Sequence, residues 1–259
     1  MPKTYRMKDK SDKYTIIKKD IPSLPFRILA IGTTGSGKSS ICIGNFFLRD
    51  DFYKNDFPNT HIFVFSGSLN GDMKLATFLK ERDIDESQCF DHFDEDSAHV
   101  IYEMLVDEFN EAVRNKEKPK HALFIFDDLG FTNMMNKNKK NSILDKIYSN
   151  GRKYNISILT LNQRITQTTS NARSQCSALI LWKSTNRQLE TVEQDFNYLG
   201  GKGNKQKFMN MIKKYTENRH DYIVMDLGKD KIYRDKDFKP ICLCDDGKNA
   251  CLGSTKQPN

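Results

Sequence analysis

The sequence predicts an α/β fold: a mostly parallel central sheet covered by helices, with a C-terminal strand pair. Three observations predict it. Strand and helix patterns alternate through most of the chain. The strand runs are almost continuously apolar, which marks strands buried on both faces of a sheet. The first strand enters a glycine-rich loop that opens a helical segment, the order in which a phosphate-binding loop occurs.

Taken in order, "FRILAIG" (26–32) is a short apolar run ending in glycine, and residues 39–48 follow as a helix. "HIFVFSG" (61–67) is the next strand. Residues 97–116 set Val100, Ile101, Met104, Leu105, Phe109, Ala112 and Val113 on one expected helical stripe. "ALFIFDD" (122–128) and "ISILTLNQ" (156–163) are strands too apolar to face water, joined by a short helix over 142–154. "ALILWK" (178–183) is a further strand, followed by helices near 186–199 and 203–217. In the last of these, Phe208, Met211, Ile212 and Tyr215 recur at i, i+3, i+4, i+7. "DYIVMDLGKDKIYRD" (221–235) reads as two strands around a Gly-Lys-Asp turn. The pattern divides the chain into a basic arm (1–22), one α/β domain (23–240) and a polar tail (241–259), without internal repeats.

Composition sets limits on function. With 259 residues, 37% hydrophobic and 29% charged, the chain suits one large α/β domain with its own core. No stretch approaches 18 consecutive apolar residues, so no membrane span is expected. The N-terminus lacks the apolar core of a secretory signal. The net charge is +7, and residues 1–20 hold seven Lys/Arg against three Asp. Such an arm suits either contact with nucleic acid or a solvated tail. The cysteines at 42, 89, 176, 242, 244 and 251 are expected as reduced thiols. "CLCDDGKNAC" has three of them, but C-x-C spacing without a fourth ligand is atypical of zinc.

"GTTGSGKSS" carries the clearest chemistry. It comprises Gly32, Thr33, Thr34, Gly35, Ser36, Gly37, Lys38, Ser39 and Ser40, and fits G-x-x-x-x-G-K-[ST] at every position. Glycines let consecutive backbone N–H groups turn inward around phosphates, and the following helix adds its positive end. Lys38 reaches the β- and γ-phosphates, and the Ser39 hydroxyl ligates Mg²⁺. The second element is "LFIFDDLG" (123–130). Asp127 closes a strand where open α/β sheets bind ligands, and can hold Mg²⁺ through water. Asp128 then orients or deprotonates the attacking water, or serves only as a loop carboxylate or helix cap. Asp127-x-x-Gly130 also fits a GTPase switch, but a guanine reader of the Asn-Lys-x-Asp type is missing after the later strands. The strand that should carry it ends in Asn162-Gln163. Alternation lets only one of the two face the nucleotide, and Gln163 is favoured as sensor of the γ-phosphate or holder of the water. Arg152, after Asn150-Gly151, and Arg173, before Ser174-Gln175-Cys176, are candidates for an arginine acting on a neighbouring subunit.

The segment "NGRKYNISILTLNQR…ARSQCSALILWKSTN" resembles the FtsK–HerA superfamily of ring-forming DNA translocases. With "LPFRILAIGTTGSGKSS" and "FIFDDLG", the chain is more similar still to the poxvirus-type genome-packaging ATPases of large DNA viruses and virophages. The resemblance covers roughly residues 24–227. It implies a RecA-like P-loop NTPase that binds ATP and Mg²⁺, assembles as a homo-oligomeric ring and drives double-stranded DNA into a preformed capsid. It implies capsid or portal-vertex proteins as partners, and the virion and the cytoplasmic viral factory as location. By matching position, Lys38 and Ser39 become phosphate and Mg²⁺ groups, Asp127 the magnesium carboxylate, Asp128 the catalytic acidic residue and Gln163 the sensor. Arg173 becomes the first choice for arginine finger and Arg152 the second. The chain departs from larger translocases in having no separate DNA-binding or membrane domain. Two lysine clusters are candidates for DNA contact or for solvated loops: Lys137, Lys139 and Lys140 after the Asp127 strand, and Lys202, Lys205 and Lys207 before a helix. An ATP-binding scaffold that does not translocate remains the rival from another class.

Overall fold

The computed structural model describes residues 13–129, 142–199, 204–228 and 232–241. Among these, eight strands form one sheet in the order β3-β2-β4-β5-β1-β6-β7-β8. The strands are β1 (Arg27–Ile31), β2 (Ile62–Ser66), β3 (Cys89–Phe90), β4 (Ala122–Asp127), β5 (Ile156–Asn162), β6 (Ala178–Trp182), β7 (Tyr222–Asp226) and β8 (Ile232–Arg234). The six strands β3, β2, β4, β5, β1 and β6 run parallel, while β7 and β8 join antiparallel at one edge. The expected strand pair is therefore part of the main sheet.

Alternation along a buried strand feeds two cores. In β1, Leu29 and Ile31 join the cluster beneath α3 (Glu95–Arg114), α4 (Ile143–Asn150), α5 (Ser170–Ser174), α6 (Asn186–Phe196) and α7 (Asn204–Tyr215). Ile28 and Ala30 join the opposite cluster, beneath α1 (Ser40–Asn45 continuing into Phe46–Leu48) and α2 (Met73–Glu81). The result is three layers, helices on both faces of the sheet. Register brings the carboxyl ends of four strands level: Ile31 pairs with Asn162, Asp127 with Leu161, and Ser66 with Asp127.

Several details differ from expectation. α3 is rotated: Ala98, Ile101, Tyr102, Leu105 and Phe109 are buried, whereas Val100 and Met104 are exposed. The buried face is the one that carries the rings of Tyr102 and Phe109, both edge-on to Tyr154. The helix after the phosphate loop starts with wider, π-type winding over Ser40–Asn45. α2, the two-residue β3 and α5 had no counterpart in the sequence reading. Lys205 and Lys207 lie inside the first turn of α7 rather than ahead of it. Residues 13–22 touch the domain: Ile16 pairs with Leu24, Ile21 is buried, and the Tyr14 carbonyl lies 3.1 Å from Nε2 of His121. Gly130, Lys137, Lys139, Lys140, Lys202, most of the Gly-Lys-Asp turn and Cys242, Cys244 and Cys251 lie outside the described residues. Among the described residues, no helix is long and apolar enough to cross a membrane.

Candidate active site

The level strand ends at the carboxyl edge frame a cleft of about 300 Å³, and the phosphate loop forms its floor. Thr34, Gly35, Gly37, Lys38 and Ser39 line it from β1, Asp127 and Asp128 from β4, and Gln163 from β5. The loop's shape depends on two glycines in left-handed conformations, Gly35 at φ 75° and Gly37 at φ 101°, where a side chain would be strained. Ser36 N–H donates to the Thr33 carbonyl (3.2 Å), and Ile41 N–H to the Gly37 carbonyl (3.0 Å), which joins the loop to α1. Ser40 opens that helix.

Lys38 folds back over the loop, donating to the carbonyls of Gly32 (2.5 Å) and Thr33 (3.2 Å). Burial lowers its pKa, while the carboxylates of Asp127 and Asp128 act in the opposite sense. Asp127 is buried, and its carboxyl is pushed up to about 6, first by loss of solvent and then by repulsion from Asp128 and Asp72. A hydrogen bond from Ser66 Oγ (3.3 Å) and the charge of Lys38 oppose that rise.

Asp128 adopts φ 49°, a sparsely populated conformation for a residue other than glycine. Its backbone is clamped from two sides. Asp128 N–H donates to Leu161 O (3.1 Å), and a Cβ on Gly67 would meet Asp128 O at 3.1 Å. The side chain is held as well: Gln163 Nε2 lies 3.1 Å from one carboxylate oxygen and 3.2 Å from the other. Asn162 turns the other way and donates to Thr168 Oγ1 (2.8 Å). The structure therefore brings Lys38, Ser39, Asp127, Asp128 and Gln163 to one cleft.

Residues that the sequence did not single out also reach it. Asp72 caps α2 through its side chain, accepting from Lys74 N–H (2.8 Å) and Leu75 N–H (3.3 Å). Asp72, Lys74 and Ser68 line the cleft. A Ser/Asn/Gly/Asp stretch after β2 was the only local hint, and it reads as an ordinary turn.

The arginines stand elsewhere. Arg173, at the end of α5, donates to Asp195 Oδ2 (2.6 Å) and to Thr168 O (2.8 Å), with its side chain 13% exposed. Arg152 is exposed in the turn that enters β5. Both precede a strand that leads toward the cleft, so they lie nearer the amino edge of the sheet than the carboxyl edge. Lys205 is 3.7 Å from Glu193, and Lys207 is exposed on α7.

Hard oxygen donors, Ser39 and Asp127, suit magnesium, which keeps most of its shell as water and phosphate. Among the described residues no cluster of three or more His, Cys, Asp or Glu side chains could hold a metal alone.

The fold has known counterparts. The genome-packaging NTPase B204 of Sulfolobus turreted icosahedral virus 2, in complex with AMP, superposes with a TM-score of 0.56 at 13% identity, covering 81% of this chain and 96% of that one. B204, the DNA-packaging ATPase of Sulfolobus turreted icosahedral virus, gives 0.55 at 15% identity, over 82% and 97%. The pCW3 conjugation coupling protein TcpA, with ATPγS, gives 0.51 at 17% identity, over 86% of this chain and 62% of that one. These likenesses place the fold among the α/β P-loop NTPases. No curated protein matches the sequence. The family model described as Poxvirus A32 protein matches residues 14–252, nearly the full length, and the chain belongs to that family.

Proposed function

We propose that this chain is a viral genome-packaging ATPase that works as a homo-oligomeric ring, coupling Mg²⁺-dependent ATP hydrolysis to movement of double-stranded DNA into a preformed capsid. The observation that carries it is the junction of Gln163 with both oxygens of Asp128, beside Lys38 and the phosphate loop. A carboxylate whose two oxygens are fixed by an amide, at the tip of neighbouring strands, suits orientation of a water rather than a passing surface contact. Family membership supports the same reading.

The chemistry follows from position. Backbone N–H groups of the loop receive the phosphates, and Lys38 swings from the Gly32 and Thr33 carbonyls to the γ-phosphate. Ser39 and Asp127 would hold Mg²⁺, which would supply charge neutralisation at the phosphates. Water attacks the γ-phosphorus, its proton passes to Asp128, and ADP leaves with the broken phosphoanhydride bond. Gln163 holds the Asp128 carboxylate and the water in line. Arg173, or failing that Arg152, stabilises the transition-state charge in the adjacent subunit's site. Lys137, Lys139 and Lys140, with Lys202, Lys205 and Lys207, contact DNA phosphates in the ring's channel. Capsid or portal-vertex proteins are the docking partners, and the cytoplasmic viral factory and virion are the location.

The test is ATP turnover with and without double-stranded DNA. Lys38→Ala is expected to abolish turnover and weaken nucleotide binding, because the γ-phosphate loses the loop's cation. Asp128→Asn is expected to keep binding and stop turnover. ATP binding without DNA-stimulated turnover would point to a scaffold instead, and normal turnover in Asp128→Asn would remove that residue from the mechanism.

A further inference from the structure

The turn between α7 and β7 brings two side chains to the far flank of the phosphate loop. It is fixed at both ends. Thr216 caps α7 through N–H (2.9 Å) and Oγ1 (2.8 Å) on the Ile212 carbonyl. Asp221 accepts from Asn218 Nδ2 (2.7 Å) and Lys236 Nζ (2.9 Å), and Lys183 Nζ donates to Glu217 O (3.1 Å). At the tip, His220 Nδ1 lies 3.2 Å from the Ser36 carbonyl. A carbonyl can only accept, so the tautomer protonated at Nδ1 makes this bond. Arg219 lies against the loop: a Cβ built on Gly35 would meet its Nη2 at 2.5 Å.

Two features make Arg219 more than a surface cation. Asp221, the nearest acid in sequence with a fixed partner, is already engaged by Lys236 and Asn218. Among the described residues Arg219 has no hydrogen bond or ion pair, although the turn that carries it is pinned. This exposed guanidinium thus stands without a carboxylate partner among the described residues, beside a loop built for anions.

Its flank determines what it touches. β1 lies between β5 and β6. The cleavage groups Asp127, Asp128 and Gln163 come from β4 and β5, on one side of β1. Arg219 and His220 come from the other side, just ahead of β7, which pairs with β6. A nucleotide whose γ-phosphate lies toward the carboxylates has its α-phosphate, ribose and base toward β6 and β7.

We infer that Arg219, steadied by His220, is a nucleotide-binding residue acting in cis on the nucleoside end of a bound adenosine di- or triphosphate. This rests on the ATPase reading above. A guanidinium there can donate to the α-phosphate or ribose and stack on the base. Both products and substrates carry that end, so ATP and ADP share the contact.

The experiment titrates wild type, Lys38→Ala, Arg219→Ala and Arg219→Lys by isothermal titration calorimetry with ADP and with ATP as its non-hydrolysable analogue AMPPNP in Mg²⁺, followed by steady-state kinetics with ATP. Circular dichroism checks that the exposed substitutions fold. Arg219→Ala should raise the Kd for ATP and ADP by a similar factor, roughly tenfold for one charge-assisted bond. The loss in kcat/KM should appear as raised KM, and Arg219→Lys should recover part of it. Unchanged affinities in Arg219→Ala, with Lys38→Ala impaired, overturn this inference and leave the ATPase reading intact. Loss confined to ATP, or to kcat, also overturns it, since the guanidinium would then act at the γ-phosphate. Wild-type protein that binds neither nucleotide overturns both.

Discussion

Asp127 holds its proton to about pH 6, so the ligand-free protein at neutral pH carries a buried carboxylate that its surroundings disfavour. The sign of the linkage follows. The folded pKa lies above the unfolded value of 3.8, so the folded state binds the proton more tightly. The associated stability is complete below the unfolded pKa and is lost as pH rises through about 6. Asp127→Asn should therefore raise the Tm of nucleotide-free, Mg²⁺-free protein more at pH 8 than at pH 5. The difference should correspond to a few kcal/mol at most. Equal gains at both pH values, by scanning calorimetry, would contradict the electrostatic account. Repulsion from Asp128 and Asp72 also explains how the same site can welcome a cation. The residues of this site divide by how they announce themselves. Lys38, Ser39 and Asp127 sit in short motifs whose spacing is dictated by a phosphate and a cation, so one stretch of chain reveals each. Gln163 was inferred from its place at a strand tip. Asp72, Lys74, Arg219 and His220 carry no such local pattern. His220 meets Ser36 across 184 residues, and only the closed fold brings them together.

Arg82 shows how one side chain can govern an element. At the end of α2 it donates to the carbonyls of Phe47 (3.0 Å), Lys54 (2.7 Å) and Phe57 (2.6 Å), and to Asn59 Oδ1 (3.1 Å). It thus ties the segment between α1 and β2 to the next helix. Truncation leaves several buried carbonyls without partners, which costs about 1–3 kcal/mol each where water cannot replace them. Arg82→Ala should shift the urea midpoint strongly, while Arg82→Lys, with fewer donors, should recover only part of it. An unshifted midpoint would show that water replaces the guanidinium. No sequence pattern marks this arginine, because its partners, three backbone carbonyls and the Asn59 side chain, are brought to it only by the fold. The strands, by contrast, were legible from their apolar runs, since burial on both faces leaves no room for polar positions. α2 is short, and its apolar face amounts to one turn, Leu75, Phe78 and Leu79, which is too little periodicity to mark a helix. α3 is turned from the expected stripe: Val100 and Ile101 are equally apolar, and the face that packs inward is the one Ile101 shares with Ala98, Tyr102, Leu105 and Phe109. The pair Arg173–Asp195 links α5 to α6 in the same manner. A finger role for Arg173 requires that link to open when a neighbouring subunit docks.

A ring offers a test that a single subunit cannot. A subunit lacking Lys38 cannot hydrolyse ATP but still presents Arg173, and a subunit lacking Arg173 still holds ATP. Mixing Lys38→Ala with Arg173→Ala, both inactive alone, should restore part of the turnover once labelled protein shows that subunits exchange. If exchange occurs and only the mixture with Arg152→Ala recovers, the finger is Arg152. If neither mixture recovers, the arginine does not act across subunits. The same assembly should bind duplex DNA without sequence preference and lose affinity steeply with salt, because each lysine–phosphate contact releases a counterion. Replacing Lys137, Lys139 and Lys140 together should lower the slope of log affinity against log salt, and an unchanged slope would place the channel elsewhere. The central position of β1 has a consequence for synthesis. Its neighbours are β5 and β6, and Arg27 pairs with Ile158, 131 residues later. At about 5–20 residues per second, the nascent strand and its phosphate loop wait roughly 7–26 s for β5 to be made. A ribosome stalled before β5 therefore displays an apolar strand with two unpaired edges, and a fragment ending there should be held by chaperones or aggregate rather than bind nucleotide.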